Sequence, residues 1–451
     1  MRFSAILLAA SLLTFWVAKK VERAAGEREK QFWLRTGVAA ALALLFVFKY
    51  FNFFFSAINT VIAAAGIHWD FRGIELFLPL GLSFYALQII SYLSDVYYGK
   101  TSAETHFGRF ALYLSFFPKL LNGPLERYDR LKPQFENPAA FDYQQTISSL
   151  LRIGWGLFKK LVIADRLAVV ANTVFAAPQD FFSPQQVYAL VAFSFQIYID
   201  FSAYTDIAIG MAKILGIDLV ENFNFPYYAT SVVDFWRRWH ISLSNWLRDY
   251  VFLPLSVRHR RKKAVILWRS LDVLATFLIS GLWHGADWTF VIWGALHGFY
   301  QAFEIASQKL RDSLVKKFSI DRNTFAHKAF QILLTFALVT FSWLFFKASS
   351  VQDALAILKS IITLNGVTSA QAWAFSDGSL GLDRQDVWMM GHALLVFLIA
   401  EYFSRRHNLL DGLNRQPLWF RWTVYLALIF SILFFGYYGD TTSPGFVYFN
   451  F

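Results

Sequence analysis

Polar residues set inside long apolar stretches are where this chain could do chemistry, because an ionisable group in a membrane span is costly and by default marks a functional position. The most pointed case is Ser280-Gly281-Leu282-Trp283-His284-Gly285-Ala286-Asp287-Trp288-Thr289-Phe290, which links two strongly apolar runs, with His297 further on. An imidazole, with an ordinary pKa near 6.5, can take a proton from a hydroxyl and return it to a leaving group. The glycines beside Trp283-His284 allow a sharp turn and close backbone approach. Irregular backbone at membrane depth is tolerated where protein buries it or where it lines a cavity. The residues alone leave two roles open for His284, general base or part of a structural turn.

Two further clusters carry polar groups. Asp200-Phe201-Ser202-Ala203-Tyr204-Thr205-Asp206 lies inside an apolar run from Val187 to Leu215. On a helix Asp200 and Tyr204 share a face, as do Ser202 and Asp206. Such residues either tie helices together through hydrogen bonds or line a functional path. In Asp234 to Tyr250, the residues Trp236, Trp239, Leu243, Trp246 or Leu247, and Tyr250 fall on one helical stripe, with Arg237, Arg238 and Arg248 largely off it. This spacing predicts an amphipathic helix at the cytoplasmic interface. His240 beside the stripe reads either as an interfacial hydrogen-bonder or as a group pointing into the protein.

The elements that must position these residues are membrane spans. Of 451 residues, 56% are hydrophobic and 16% charged, with Phe at 50 and Trp at 16. A soluble domain is roughly a quarter charged, so lipid must cover part of this surface. There is no cysteine, which excludes disulfides, thiolate nucleophiles and Cys-ligated zinc; no metal site is expected. The net charge of +11 is spread over short loops, which argues for membrane topology and against nucleic acid.

Apolar stretches long enough to span run near 3–18, 36–50, 76–97, 184–216, 264–283, 287–306, 329–346, 387–403 and 419–438. Segments 51–67, 108–122 and 147–175 are apolar but interrupted, the last by Lys159 and Lys160, and read as interfacial or re-entrant. The expectation is an all-α polytopic fold of about ten transmembrane helices. Basic loops at 18–35, 257–263 and 309–328, and Arg405-Arg406, are assigned to the cytoplasm; 176–186, 365–386 and 439–451, nearly bare of Lys and Arg, are assigned outside, with both termini. The opening apolar run, followed directly by Lys19-Lys20, reads as an uncleaved span. Residues 1–451 are read as a single transmembrane domain.

Phe235-Trp236-Arg237-Arg238-Trp239-His240-Ile241-Ser242-Leu243-Ser244 and Gly281-Leu282-Trp283-His284-Gly285-Ala286 resemble motifs of the membrane-bound O-acyltransferases, in the branch of the bacterial alginate O-acetylation proteins. Leu78 to Tyr85, Gly123-Pro124 with Arg127, Phe158-Lys159-Lys160 through Ala164-Asp165-Arg166, Tyr198 to Asp206 and the closing Val447 to Phe451 are similar as well. The resemblance covers roughly residues 36–350 plus the tail. It implies a helical ring around a tunnel in which donor and acceptor meet. His284 matches the family's catalytic histidine and His240 its second motif histidine, an assistant lining the tunnel. His297, in Ala295-Leu296-His297-Gly298, is family-like. Asp200, Tyr204, Asp206, Trp283 and Asn245 are expected as supporting or tunnel residues.

The activity so implied is transfer of an acyl group, taken as acetyl, from acetyl-CoA or another acyl thioester towards an extracytoplasmic polysaccharide, with no tightly bound cofactor. A separate extracytoplasmic acetyltransferase or polysaccharide-modifying partner and a place in the bacterial cytoplasmic (inner) membrane follow from the same resemblance. In two places the sequence departs from the family pattern. One or two further spans usually precede the segment resembling Phe48 to Phe54, and the loop Ser256 to Lys263 is more basic than the usual Gly-rich sequence. The alternatives are a D-alanyl transferase with a carrier-protein donor, a polysaccharide exporter, and a membrane scaffold.

Overall fold

The structure is a computed structural model that describes residues 2–67, 73, 79–259, 264–407, 409–438 and 446. Arg260 to Lys263 of the basic loop, Leu78 and the closing Val447 to Phe451 lie outside the described residues. The described chain is helical. The helices that matter here are α1 (Arg2–Arg23), α2 (Glu27–Ala64), α3 (Leu82–Tyr97), α4 (Tyr143–Phe158), α5 (Asp165–Ala176), α6 (Ser183–Ile214), α7 (Val232–Arg238), α8 (Ile241–Leu247), α9 (Val265–His284), α10 (Trp288–Ala306), α11 (Phe325–Lys347), α12 (Arg384–Ser404) and α13 (Leu418–Phe435).

Among the described residues seven helices are long and apolar enough to cross a membrane: α1, α2, α6, α9, α11, α12 and α13. The sequence count of about ten differs for identifiable reasons. The apolar stretches 36–50 and 51–67 form one helix, α2, joined through a wide turn at Phe46–Tyr50. The described helix in stretch 76–97 begins only at Leu82. Helix α10 carries His297, Gln301 and Glu304, which lower its apolarity. Segment 108–122 breaks into the short helices Phe107–Ser115 and Phe117–Leu120. No residue of α13 is buried, and Phe434 on it is 72% exposed, a surface suited to contact with lipid.

The chain divides into two compact units. One comprises 1–142, 212–220 and 283–287; the other comprises 143–211, 221–282 and 288–451. In the first, α1, α2 and α3 converge at Gly37, where an added Cβ would stand 2.4 Å from Leu93 Cδ1 and 3.0 Å from Val17 Cγ1. In the second, the largely buried α6 runs through an aromatic core that includes Phe193, Phe235, Trp239, Trp293 and Trp343. The hydroxyl of Thr324 and the carboxylate of Asp383 accept the backbone N–H of His327 and Asp386 and so cap α11 and α12.

Helices α9 and α10 approach at a pair of glycines. A Cβ on Gly281 would meet Phe290 O at 2.3 Å, and one on Gly294 would meet Phe277 O at 2.4 Å. Small residues let helix backbones close up in a membrane. The close approach expected from Gly281 is present.

Candidate active site

His284 is the last residue of α9 and is 3% exposed. A helix end leaves carbonyl oxygens without intrahelical partners. Here Lys49 supplies donors: its Nζ donates to Trp283 O at 2.7 Å and to His284 O at 2.9 Å, and lies 3.5 Å from Ser83 Oγ. An ammonium at a helix C-terminus is also favoured by the helix dipole. Lys49 sits in the wide turn Phe46–Tyr50 of α2, and such turns recur at functional sites. The Trp283 indole N–H donates to Ser83 O at 3.2 Å, and its ring packs edge-on against Phe84. The imidazole of His284 meets the Trp283 ring edge-on at 4.9 Å. The turn that carries His284 is therefore fastened on the side of its backbone.

His240 lies in the other unit, and its surroundings correct one expectation. Trp236 to Tyr250 do not form one amphipathic helix. The chain breaks at His240, which adopts the left-handed conformation at φ 42° between α7 and α8. The break has a cause in the preceding segment. Asn224 N donates to Arg238 O, Ile241 N donates to Asn222 O, and Asn222 Oδ1 accepts from Ser242 N at 3.1 Å and Ser242 Oγ at 2.8 Å. These bonds replace the helical ones. Nor does the stripe lie at a surface: Trp236, Trp239, Leu243 and Trp246 are buried.

The same oxygen of Asn222 lies 3.2 Å from His240 Nδ1. It already accepts a backbone N–H, so the imidazole proton sits on Nδ1 and Nε2 is the basic nitrogen. The ring is fully buried and packs edge-on against Phe201 at 4.8 Å. Burial pushes its pKa down to about 3, so His240 is a neutral hydrogen-bonding group. Asn245 is half-buried on the following turn.

His297 is held in the opposite tautomer. The Trp236 indole donates to its Nδ1 at 3.1 Å, which puts the proton on Nε2. Trp293, Phe277 and Tyr300 pack around it.

The carboxylates of α6 pair with two consecutive lysines. Lys159 Nζ lies 2.7 Å from Asp206 Oδ2 and donates to Ser202 Oγ at 2.8 Å. Lys160 Nζ lies 2.9 Å from Asp200 and 2.8 Å from Asp165. Both lysines belong to the wide turn Lys159–Ala164 joining α4 to α5. The two i, i+4 pairs read from the sequence thus reach different lysines. Asp206 also receives Arg152 at 2.9 Å, which pairs through both terminal nitrogens with Glu221. Tyr204 packs edge-on against Phe446, and Lys160 lies over the same ring at 4.6 Å. The arrangement is an interhelical ion-pair network.

Sequence reading gave no role to Lys49, Asn222 or Lys119. Lys119 is fully buried, donates to Gln88 Oε1 at 2.7 Å and lies over the Tyr113 ring at 4.3 Å. A lysine inside an apolar run was the available signal for both lysines. Asn222 gave none, because its role depends on a loop bonding to a distant helix break.

Residues 101–351 match the membrane-bound O-acyltransferase family. The chain is 32% identical to the peptidoglycan O-acetyltransferase of Helicobacter pylori, over 100% of this chain and 88% of that protein. It is 38% identical to the "Probable alginate O-acetylase" of Pseudomonas putida, over 90% of this chain and 78% of that protein. The teichoic acid D-alanyltransferase of Bacillus subtilis is 27% identical over 51% of this chain and 61% of its own length. The chain belongs to the membrane-bound O-acyltransferase family and is a multi-pass membrane O-acyltransferase.

Proposed function

We propose that this enzyme moves an acetyl group from a cytoplasmic thioester, most simply acetyl-CoA, towards an extracytoplasmic polysaccharide, with His284 as general base. The observation that carries this reading is the placement of His284: a buried imidazole at the end of an apolar helix, its backbone fastened by Lys49. The full-length likeness to a peptidoglycan O-acetyltransferase supports the choice of acetyl and of polysaccharide.

The imidazole removes the acceptor's hydroxyl proton as the oxygen attacks the thioester carbonyl. The C–S bond breaks, and the imidazolium returns the proton to the departing thiolate. A positioned base is worth roughly 10²–10⁴-fold, and burial of the site protects the thioester from water. His240 contributes its basic Nε2 as a hydrogen-bond acceptor. Asp200, Asp206 and Tyr204 hold the helices. The protein sits in the bacterial inner membrane, and a separate extracytoplasmic acetyltransferase or polysaccharide-modifying protein completes delivery.

Ester-linked acetate on secreted and wall polysaccharide, compared between wild type and His284→Ala at matched membrane levels, tests the reading. Loss of acetate with unchanged polymer yield is expected. Retained acetate removes His284 from the mechanism, and lost polymer points to export. The likeness to a D-alanyltransferase favours a second reading, transfer of D-alanine from a carrier protein; ester-linked D-alanine in place of acetate would select it.

A further inference from the structure

The second unit contains a chamber of about 800 Å³ that His240, His284, His297 and the glycine contact do not line. Its inner wall holds Arg152, Lys159, Asp206 and Glu401, and at the end of α12 it reaches Arg405, Arg406 and His407. Inside, the charges are compensated. Asp206 is shared by Lys159 and Arg152, Arg152 also pairs with Glu221, and Glu401 accepts the Tyr198 hydroxyl. At the mouth positive charge is in excess: Arg405 is attracted by Glu401, but two exposed guanidiniums, Arg405 and Arg406, stand there against that one carboxylate, and neither has an acid within ion-pair distance among the described residues.

Each of these arginines lies over an aromatic ring, Arg405 over Tyr228 at 4.0 Å and Arg406 over Tyr402 at 4.9 Å. Stacking uses the face of a guanidinium and leaves its N–H edge for phosphate oxygens. Thr205 adds a second signal. It is 2% exposed, lines the same chamber, and its hydroxyl has no hydrogen-bond partner among the described residues.

The chamber continues into an apolar groove of about 680 Å³ along α12 and α13. Trp155, Val424 and Leu428 line both. The groove follows α12 from Gln385 to Val396, and the chamber takes over from Phe397 to the arginines. That stretch of helix is about 30 Å long, the thickness of a whole bilayer core, so an acyl chain of one leaflet, about half that length, starts at the arginines and passes Phe397 into the near end of the groove. Alone, the groove would hold lipid tails of any kind. What distinguishes the joined site is the excess of positive charge at the chamber's mouth and the buried Thr205 hydroxyl in the chamber wall.

We infer that the chamber and groove together form a binding site for one anionic phospholipid, its phosphate on Arg405 and Arg406 and an acyl chain between α12 and α13. The wall formed by α13 has no buried residue, so the ligand enters sideways from the bilayer. This assignment stands independently of which group is transferred.

The test uses the full chain purified in detergent and offered equal amounts of phosphatidylglycerol and phosphatidylcholine with identical acyl chains, with retained lipid counted by native mass spectrometry. Wild type retains phosphatidylglycerol over phosphatidylcholine by roughly tenfold or more, the scale expected of two cations facing a phosphate at a membrane surface. R405Q/R406Q removes the preference, and R405K/R406K keeps most of it. Equal retention of the two lipids by wild type, or an undiminished preference in R405Q/R406Q, overturns the inference. So does displacement of the bound lipid by micromolar acyl-CoA, which would give the chamber to the thioester donor.

Discussion

Lys49 donates a 2.9 Å hydrogen bond to the carbonyl oxygen of His284 and a 2.7 Å bond to that of Trp283. A lysine in the wide turn of α2 is thus the C-terminal cap of the helix that presents the proposed base. Small displacements of a catalytic group can cost about 10²-fold in rate. Lys49→Met should lower kcat by roughly ten- to a hundredfold with little change in KM for the donor. Lys49→Arg should recover part of it, because a guanidinium can also donate to both carbonyls. Rates measured in proteoliposomes at matched protein levels check this. A change confined to KM would instead place Lys49 in donor binding.

Asn222 fixes both the chain break and the tautomer at His240. Asn222→Ala leaves the Ser242 N–H and hydroxyl buried without that acceptor, at a cost of about 1–3 kcal/mol. It also releases the imidazole to flip its proton to Nε2. The variant should lose stability by that amount and lose activity as well. A variant that is destabilised but fully active would show that the His240 tautomer does not matter.

His240 also predicts a pH dependence of stability. Its folded pKa is depressed to about 3, against an ordinary value near 6.5. Between these values the unfolded chain binds a proton that the folded chain refuses, so stability is intact above about pH 6.5 and falls as pH drops towards 3. The slope contributed is at most about 1.4 kcal/mol per pH unit. His240→Gln should flatten it in thermal melts taken in detergent between these pH values. An unchanged slope would assign the acid sensitivity to other groups.

Asp206 neutralises two cations, Lys159 at 2.7 Å and Arg152 at 2.9 Å. Removing one member of a buried pair costs about 3–5 kcal/mol, whereas replacing both with apolar groups is often near neutral. Asp206→Asn should therefore lower the melting temperature more than the double variant Lys159→Met/Asp206→Leu. The reverse order would mean that the cavity side of this network is wet enough to screen it.

Much of this was legible before the fold was known, and the limits have physical causes. The apolar stretches around 184–216, 264–283, 329–346, 387–403 and 419–438 form helices, and a high density of apolar residues is a local property that a sequence displays directly. The i, i+4 pairing of Asp200 with Tyr204 and Ser202 with Asp206 located the polar faces of α6, yet it could not say that two adjacent lysines would divide those faces. The stripe from Trp236 to Tyr250 misled: its spacing is helical, but Asn222, far back in the sequence, takes over the hydrogen bonds at His240 and breaks the helix. Lys49 stood out as a lysine inside an apolar run, but its role did not, since its partners are backbone atoms more than two hundred residues away.

The closest backbone approach near the site is also the easiest to test. A Cβ on Gly281 would stand 2.3 Å from Phe290 O and 3.2 Å from Gly294 Cα, and the three nearest atoms it would meet are all backbone. No rotamer change can relieve that, so Gly281→Ala must push α9 and α10 apart, at a cost of about 1–3 kcal/mol. Gly281 lies one turn before His284 on the same helix, and the shift should carry the imidazole with it. Activity should then fall by more than the loss of stability explains, with the protein still inserted. Gly391→Ala serves as the control: Gly391 is helical, exposed and has nothing within 4 Å of the position of a Cβ, so alanine there should be neutral or stabilising by up to about 1 kcal/mol. Gly281→Ala with wild-type transfer rates would mean that the proposed base tolerates displacement, and the positioning argument for Lys49 would fail with it.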